Sequence, residues 1–142
     1  MDDYILQLEG ITKVYGRARA VDSSSLQIKK GEVFTLLGPS GCGKTTTLRM
    51  VAGLERLDEG RILYKGTTVA DPANRIFVPP HKRNMGMVFQ SYAIWPHMTV
   101  MENVGYPLRL RGVGGSQLRD QVAKVLELVG MSAMIDRPAP ML

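Results

Sequence analysis

One short stretch constrains the fold of this chain more than any other. Glycines at Gly38, Gly41 and Gly43 separate an apolar run, residues 33–37, from a segment with helical character, residues 45–52. An apolar run of this length is typical of a strand buried on both faces of a parallel sheet. Glycines let the backbone between the two segments adopt positive φ angles. The pattern therefore predicts a strand, a tight loop and a helix, which indicates an α/β fold.

The loop residues predict phosphate binding. They match the pattern G-x-x-x-x-G-K-[ST], the P-loop or Walker A motif, in which backbone N–H groups and the start of a helix hold phosphate oxygens. Lys44 supplies positive charge for the β- and γ-phosphates, and the Thr45 hydroxyl suits Mg²⁺. The alternative is a plain glycine-rich turn before a helix. The candidate site residues are Gly38, Pro39, Ser40, Gly41, Cys42, Gly43, Lys44, Thr45 and Thr46.

Cys42 allows two interpretations within this loop. It could be a redox-sensitive thiol whose pKa is lowered by the start of the helix. It could also be a small residue whose N–H alone matters, and we favour this second interpretation.

Alternation of apolar and polar residues and turn signals predict the other elements of the N-terminal part. We expect strands at 4–11 and 25–28, a turn at 29–32, a hairpin of 61–64 with 67–70, a loop at 71–83, and a strand at 85–89 that Gln90 closes.

Helical patterns follow. Thr99 and Glu102 fit a capping box at the start of one helix, which Pro107 should bend or shorten. Ser116 is expected to cap the next helix, which ends at Gly130. The apolar face of this helix comprises Leu118, Val122, Val125, Leu126 and Val129, and Asp120 can pair with Lys124 on the other face.

Charge and composition narrow the class of protein. Eighteen basic and 13 acidic residues give a net charge of +5 that is spread along the chain, whereas nucleic-acid binding would favour a clustered basic surface. We therefore expect no nucleic-acid partner. A single cysteine fits a reducing compartment, and the sequence has neither a signal peptide nor an apolar run of membrane-spanning length. These features predict a cytoplasmic protein that contacts a membrane only through a partner.

Two segments resemble the ATPase subunits of ABC transporters. Residues 38–49 are similar to the Walker A segment of that family, and residues 87–100 are similar to its Q-loop region, a pattern that 102–104 continue. The similarity is nearest to importers of sugars, polyamines, iron(III) or phosphonates. It implies a P-loop NTPase (RecA-like) core with an antiparallel β portion at the N-terminus, residues 1–90, and the start of an α-helical subdomain, residues 91–142.

The resemblance also implies roles for single residues. Tyr15 matches the aromatic residue that stacks on adenine, although by itself it could be a core tyrosine. Gln90 matches the glutamine that contacts Mg²⁺ or the attacking water and senses the γ-phosphate, with a polar strand end as the alternative. Tyr92 and residues 95–97 fall where the family docks on membrane-spanning subunits, and Trp95 could equally pack within the helical part. Neither His81 nor His97 matches the switch histidine of the family, so both are expected to be solvated or structural.

Several family motifs have no counterpart in these 142 residues. The signature motif would begin at Leu142, and the Walker B aspartate, the catalytic glutamate and the switch histidine are absent. The resemblance therefore implies an incomplete domain, the N-terminal part of a longer ATPase. Without the strand that carries Walker B, residues 33–37 would have unpaired backbone and exposed apolar surface.

We expect this part to bind Mg-ATP and to hydrolyse it weakly or not at all. The whole protein would drive solute import together with membrane-spanning permease subunits and a second ATP-binding subunit, on the inner face of the cell membrane. The alternatives are a nucleotide-binding fragment with no transport role, and another P-loop enzyme such as a small kinase or GTPase. No base-specificity motif or substrate lid supports the last of these.

Overall fold

The computed structural model describes residues 4–91 and 93–141. Tyr92, in the predicted docking segment, and Leu142, the predicted start of the signature motif, lie outside the described residues. The chain divides into two compact units, Met1–Val88 and Phe89–Leu142.

The first unit is built on an antiparallel sheet of five strands in the order β2-β1-β3-β4-β5. The predicted N-terminal strands and the hairpin around Lys65 and Gly66 are confirmed, and the first two strands are longer than predicted. The predicted loop 71–83 is partly wrong, because it contains β5 and the one-turn helix α2. The strands are β1 (Tyr4–Tyr15), β2 (Ala18–Lys29), β3 (Glu59–Tyr64), β4 (Thr67–Asp71) and β5 (Ile76–Phe77), and α2 is Pro80–Arg83.

Helix α1 (Lys44–Ala52) packs on this sheet and completes the core of the first unit. It begins within one residue of its predicted start and ends, as predicted, at Gly53, which adopts the left-handed conformation with φ 78°. Met50 is the fully buried residue of α1. The sheet and the segment after α1 supply the other buried apolar residues, namely Leu8, Ile11, Val21, Leu57, Ile62, Val69 and Ala70.

Two predicted strands are wrong. Residues 33–37 and 85–89 have no strand hydrogen bonding, because no segment in the described part of the chain pairs with them. Most of their apolar side chains are exposed as a consequence: 93% of the surface of Val33 and 97% of that of Val88. An apolar run predicts burial, but a strand also requires a neighbouring backbone.

The second unit is helical, with α3 (Val100–Leu110) and α4 (Gly115–Leu128). The capping box is confirmed: the Glu102 N–H donates to Thr99 Oγ1 at 3.2 Å, and the Thr99 N–H donates to Glu102 Oε2 at 2.9 Å. Helix α3 continues through Pro107 to Leu110, so Pro107 does not shorten it there, and the other predicted effect, a bend, stays a prediction. Proline removes one ladder hydrogen bond there.

The start of α4 differs from the prediction. Gly114 precedes the helix in an extended conformation and no side chain caps it, so the predicted cap at Ser116 is wrong. The helix begins one residue before Ser116, which places that side chain in the first turn.

The apolar face of α4 is narrower than predicted. Leu118, Val122 and Leu126 are buried with Val100, while Val125 and Val129 are exposed. Gly105 lets α3 approach closely, since a Cβ there would lie 3.2 Å from Leu118 Cδ1. No ion pair joins Asp120 to Lys124 within 4–91 and 93–141. None of the helices over those ranges has the length and apolar character needed to cross a membrane.

Candidate functional site

The loop between residue 37 and α1 is fixed against β2 at Gly43. This glycine is buried and has φ 90°, and a Cβ on it would lie 2.2 Å from the Ala20 carbonyl oxygen and 3.1 Å from Val21 Cγ2. Both the backbone conformation and the close approach therefore require glycine. This contact sets where α1 begins relative to the sheet.

The loop also closes on itself. The Cys42 N–H donates to the Pro39 carbonyl at 3.4 Å. A Cβ on Gly38 would lie 2.6 Å from Cys42 Sγ, so the two ends of the loop touch. Cys42 is an exposed free thiol.

The N-terminus of α1 offers unpaired hydrogen-bond donors. Its first intrahelical bond runs from the Thr47 N–H to the Gly43 carbonyl at 2.8 Å, and no side chain caps the helix. The N–H groups of Lys44, Thr45 and Thr46 thus have no acceptor within the helix. They lie at the positive end of its dipole, an arrangement that fits phosphate oxygens.

The ammonium group of Lys44 lies over the loop. Its Nζ donates to the carbonyl oxygens of Gly38 and Pro39, both at 2.7 Å, and to Cys42 Sγ at 3.3 Å. A cleft of about 410 Å³ borders Gly41, Cys42, Gly43 and Lys44 on the side of β2. The structure therefore places positive charge, a helix N-terminus and open space together at this loop.

Tyr15, the last residue of β1, lies beside the first turn of α1. Burial and then a hydrogen bond to Glu55 raise the pKa of Tyr15, while the Thr46 side chain acts to lower it. The side chain is 47% exposed, so it does not belong to the buried core. The structure thus brings Tyr15 near Thr46, one of the predicted loop residues.

The other candidates, Gln90, His81 and His97, lie on the surface. Gln90 belongs to the second unit and is exposed at a bend, and its role stays a prediction. His81 and His97 are both exposed. Among residues 4–91 and 93–141, no group of three or more His, Cys, Asp or Glu side chains could hold a metal ion, and the metal-binding roles of Thr45 and Gln90 stay predictions.

Trp95 packs within the second unit. Its ring centroid lies 4.3 Å from that of Tyr106 on α3, and the side chain remains 40% exposed. Part of the Trp95 side chain therefore packs within the helical part, which is one of the two interpretations from sequence.

Asn103 holds the loop around Trp95, a role that the sequence patterns did not reveal. Its Oδ1 accepts the Trp95 N–H at 2.8 Å, and its Nδ2 donates to the carbonyls of Thr99 at 2.9 Å and Trp95 at 3.2 Å. Its position four residues after the helix cap is the one signal that could have indicated it.

Arg83 is the second residue that sequence reasoning missed. It is 2% exposed and donates to four backbone carbonyls, and burial lowers its pKa. Two of these carbonyls belong to the last turn of α1, so Arg83 satisfies acceptors that a helix C-terminus leaves free. Its acceptors are the carbonyls of Met50, Val51, Val69 and Val78.

Comparison with known proteins gives consistent results. The model of the ABC transporter family matches residues 21–141. The chain is 50% identical over 132 residues to the trehalose/maltose import ATP-binding protein MalK of Thermococcus litoralis, covering 93% of this chain and 36% of that protein. It is 47% identical over 133 residues to the spermidine/putrescine import ATP-binding protein PotA of Nitrosomonas europaea, covering 94% and 35%.

Among solved structures, the chain is similar to the dimeric, post-hydrolysis state of the ATP-binding cassette MJ0796 bound to ADP and Pi. The TM-score is 0.82 at 26% identity, over 96% of this chain and 62% of that one. The chain thus spans about a third of the length of its import relatives and part of a solved cassette. The fold is that of a P-loop NTPase, represented here by its antiparallel β portion, the P-loop with α1 and the first helices of the helical part. The chain therefore belongs to the ABC transporter family, and its relatives are the ATP-binding subunits of importers.

Proposed function

We propose that this chain binds Mg-ATP and forms part of the ATP-binding subunit of an importer. The observation that carries the proposal is the loop of residues 38–45. Its backbone is fixed by the Gly43 contact with Ala20, and it presents Lys44 and the uncapped start of α1 together. The import relatives support the same function.

Each loop residue has a defined task in this proposal. The free N–H groups at the start of α1 bind phosphate oxygens. Lys44 exchanges the Gly38 and Pro39 carbonyls for the β- and γ-phosphates, and Thr45 would ligate Mg²⁺ through its hydroxyl. When bound, Mg²⁺ neutralises charge on the phosphates. Tyr15 stacks on the adenine ring, since an exposed aromatic ring offers a face to any base.

Hydrolysis and transport are proposals for the whole protein. In the whole protein, Gln90 would contact Mg²⁺ or the attacking water. Residues 1–90 would belong to the catalytic core, and residues 91–142 to the helical subdomain. No residue of this chain is assigned as the base that activates water. The whole subunit would act on the inner face of the membrane with permease subunits and a second ATP-binding subunit. The 142-residue chain itself is expected to release phosphate very slowly or not at all.

Calorimetric titration of the purified chain with Mg-ATP tests the binding proposal. Replacing Lys44 by Ala removes a charged hydrogen-bond donor worth about 1.5–3 kcal/mol, which weakens binding about 10- to 100-fold. The matched control is Lys30→Ala, because Lys30 is exposed in the turn before the loop. Equal affinities for wild type and Lys44→Ala would contradict the proposal.

The alternative, a non-hydrolysing nucleotide-binding fragment with no transport role of its own, needs a second measurement. Phosphate release is followed for the whole subunit together with its permease. Loss of that release in Lys44→Ala supports the transport ATPase, and its absence in the wild-type assembly favours the alternative.

A further inference from the structure

A charged cluster holds Tyr15 at the end of β1. The Tyr15 hydroxyl donates to Glu55 Oε2 at 2.8 Å, and Lys13 Nζ contacts Glu55 Oε1 at 2.9 Å and Asp58 Oδ1 at 3.5 Å. The Val14 N–H donates to Asp58 Oδ2 at 2.7 Å. Both oxygens of Glu55 are thus occupied, one by the lysine and one by the tyrosine.

Lys13 contributes more than an ion pair. The residue is buried at 9% exposure, and its Nζ lies 5.3 Å from the centroid of the Tyr15 ring. Burial acts to lower the pKa of Lys13, but the hydrogen bond to Glu55 and the charges of Asp58 and Glu55 outweigh it and raise the pKa. The ammonium therefore stays charged against the ring. Tyr15 is restrained at its hydroxyl by Glu55 and at its ring by Lys13.

This restraint falls on the residue proposed to stack on adenine. A free tyrosine at a strand end would lose rotamer freedom when a base stacks on it, and this loss weakens binding. A ring that is already immobilised does not incur that loss. We propose that Glu55, supported by Lys13, is a positioning residue that holds the Tyr15 ring ready for the nucleotide base; this inference rests on the proposed function.

The test compares Mg-ATP with Mg-tripolyphosphate, which has the phosphates but no base. Affinities are measured by calorimetry for the full chain carrying Tyr15→Phe, which keeps the ring and removes its anchor, and for Glu55→Ala. Each change should weaken Mg-ATP about two- to tenfold and leave tripolyphosphate unchanged. The double variant should lose no more than the larger single loss, since both changes break the same hydrogen bond.

The control is Glu59→Ala, an exposed carboxylate on β3 that forms no ion pair in the described ranges. Unchanged Mg-ATP affinity in Tyr15→Phe, or equal weakening of ATP and tripolyphosphate in Glu55→Ala, overturns the positioning role. If Glu55→Ala fails to fold, the Tyr15→Phe result decides, because it removes only a partly exposed hydroxyl.

The same data separate this inference from the proposed function. If Lys44→Ala weakens both ligands while Tyr15→Phe changes neither, the phosphate site stands and the positioning role fails. If Lys44→Ala changes neither ligand, both proposals fail.

Discussion

Replacing Arg83 by Met should destabilise the first unit. The guanidinium donates at 2.7–2.8 Å to the carbonyls of Val78, Met50 and Val51, and at 3.2 Å to that of Val69. The Met50 carbonyl also accepts the Gly53 N–H, and the Val69 carbonyl accepts the Val78 N–H. Loss of the arginine thus leaves two carbonyls, of Val51 and Val78, without a donor in the described part of the chain.

The expected loss follows from those two acceptors. An acceptor left without a partner in the interior costs about 1–3 kcal/mol. The bonds to Val51 and Val78 are only partly buried, so the two acceptors together cost about 2–4 kcal/mol. Removing the guanidinium also ends its own desolvation, which offsets part of this cost. We therefore expect a loss of about 2 kcal/mol in the free energy of unfolding, a sizeable fraction of the roughly 5–15 kcal/mol typical of a domain.

Urea unfolding followed by circular dichroism measures this loss, and hydrogen exchange locates it. Amides of α1 and β4 should lose protection, because Arg83 joins their carbonyls. The matched control is Arg56→Met: Arg56 lies 4.2 Å over the Phe77 ring, as Arg83 lies 5.4 Å over it, but Arg56 is exposed. The reasoning is refuted if Arg83→Met and Arg56→Met have the same unfolding midpoint and slope.

Three further predictions concern the loop, the helical unit and its pH dependence. Gly43→Ala should weaken Mg-ATP binding more than tenfold by calorimetry, because its Cβ meets the Ala20 carbonyl. Gly41→Ala has no atom within 4 Å of its Cβ and adds only about 1–2 kcal/mol of backbone strain, so it should weaken binding less. Equal weakening of Mg-ATP binding by the two changes would contradict this. Asn103→Ala should shift the emission of Trp95, the one tryptophan of the sequence, to longer wavelength and speed exchange at 95–99, and an unchanged spectrum would argue against its role. Hydrogen bonds from the Thr99 backbone and side chain lower the pKa of Glu102 from 4.5, so its stabilisation is complete above that value and is lost as pH falls through the folded pKa. The urea midpoint, followed by Trp95 fluorescence, should thus fall more on acidification in wild type than in Glu102→Gln. An equal fall in the two proteins would show that the Glu102 carboxyl does not cause this pH dependence.

The elements predicted correctly are those that neighbouring residues specify. Lys65 and Gly66 adopt φ 50° and 74° between β3 and β4, as a tight hairpin turn requires. The capping box of Thr99 and Glu102 and the helix end at Gly53 are likewise set within a few residues. The tight loop before α1 is also partly local, since Lys44 bonds to the Gly38 and Pro39 carbonyls, and its role in binding phosphate stays a prediction.

The incorrect predictions depend on partners distant in sequence. The apolar run at 33–37 predicts a strand, but pairing is a property of two segments, and the described residues supply only one. Arg83 shows the opposite case. A charged residue in a proline-rich stretch predicts a solvated loop, yet carbonyls from α1, β4 and residue 78 meet around it only after folding. The residues next to Arg83 in sequence do not indicate those acceptors.

The contacts that hold the two ends of α1 do not come from the exposed apolar segments, residues 33–37 and 85–89. Both ends of α1 are fixed by residues of the first unit itself: Gly43 contacts Ala20 at the start, and Arg83 binds the carbonyls of the last turn. Between them, Met50 is fully buried in the core. None of these contacts involves 33–37 or 85–89. We therefore expect the loop proposed to bind phosphate to keep its position without strand pairing of those runs, and nucleotide binding by the 142-residue chain tests this expectation.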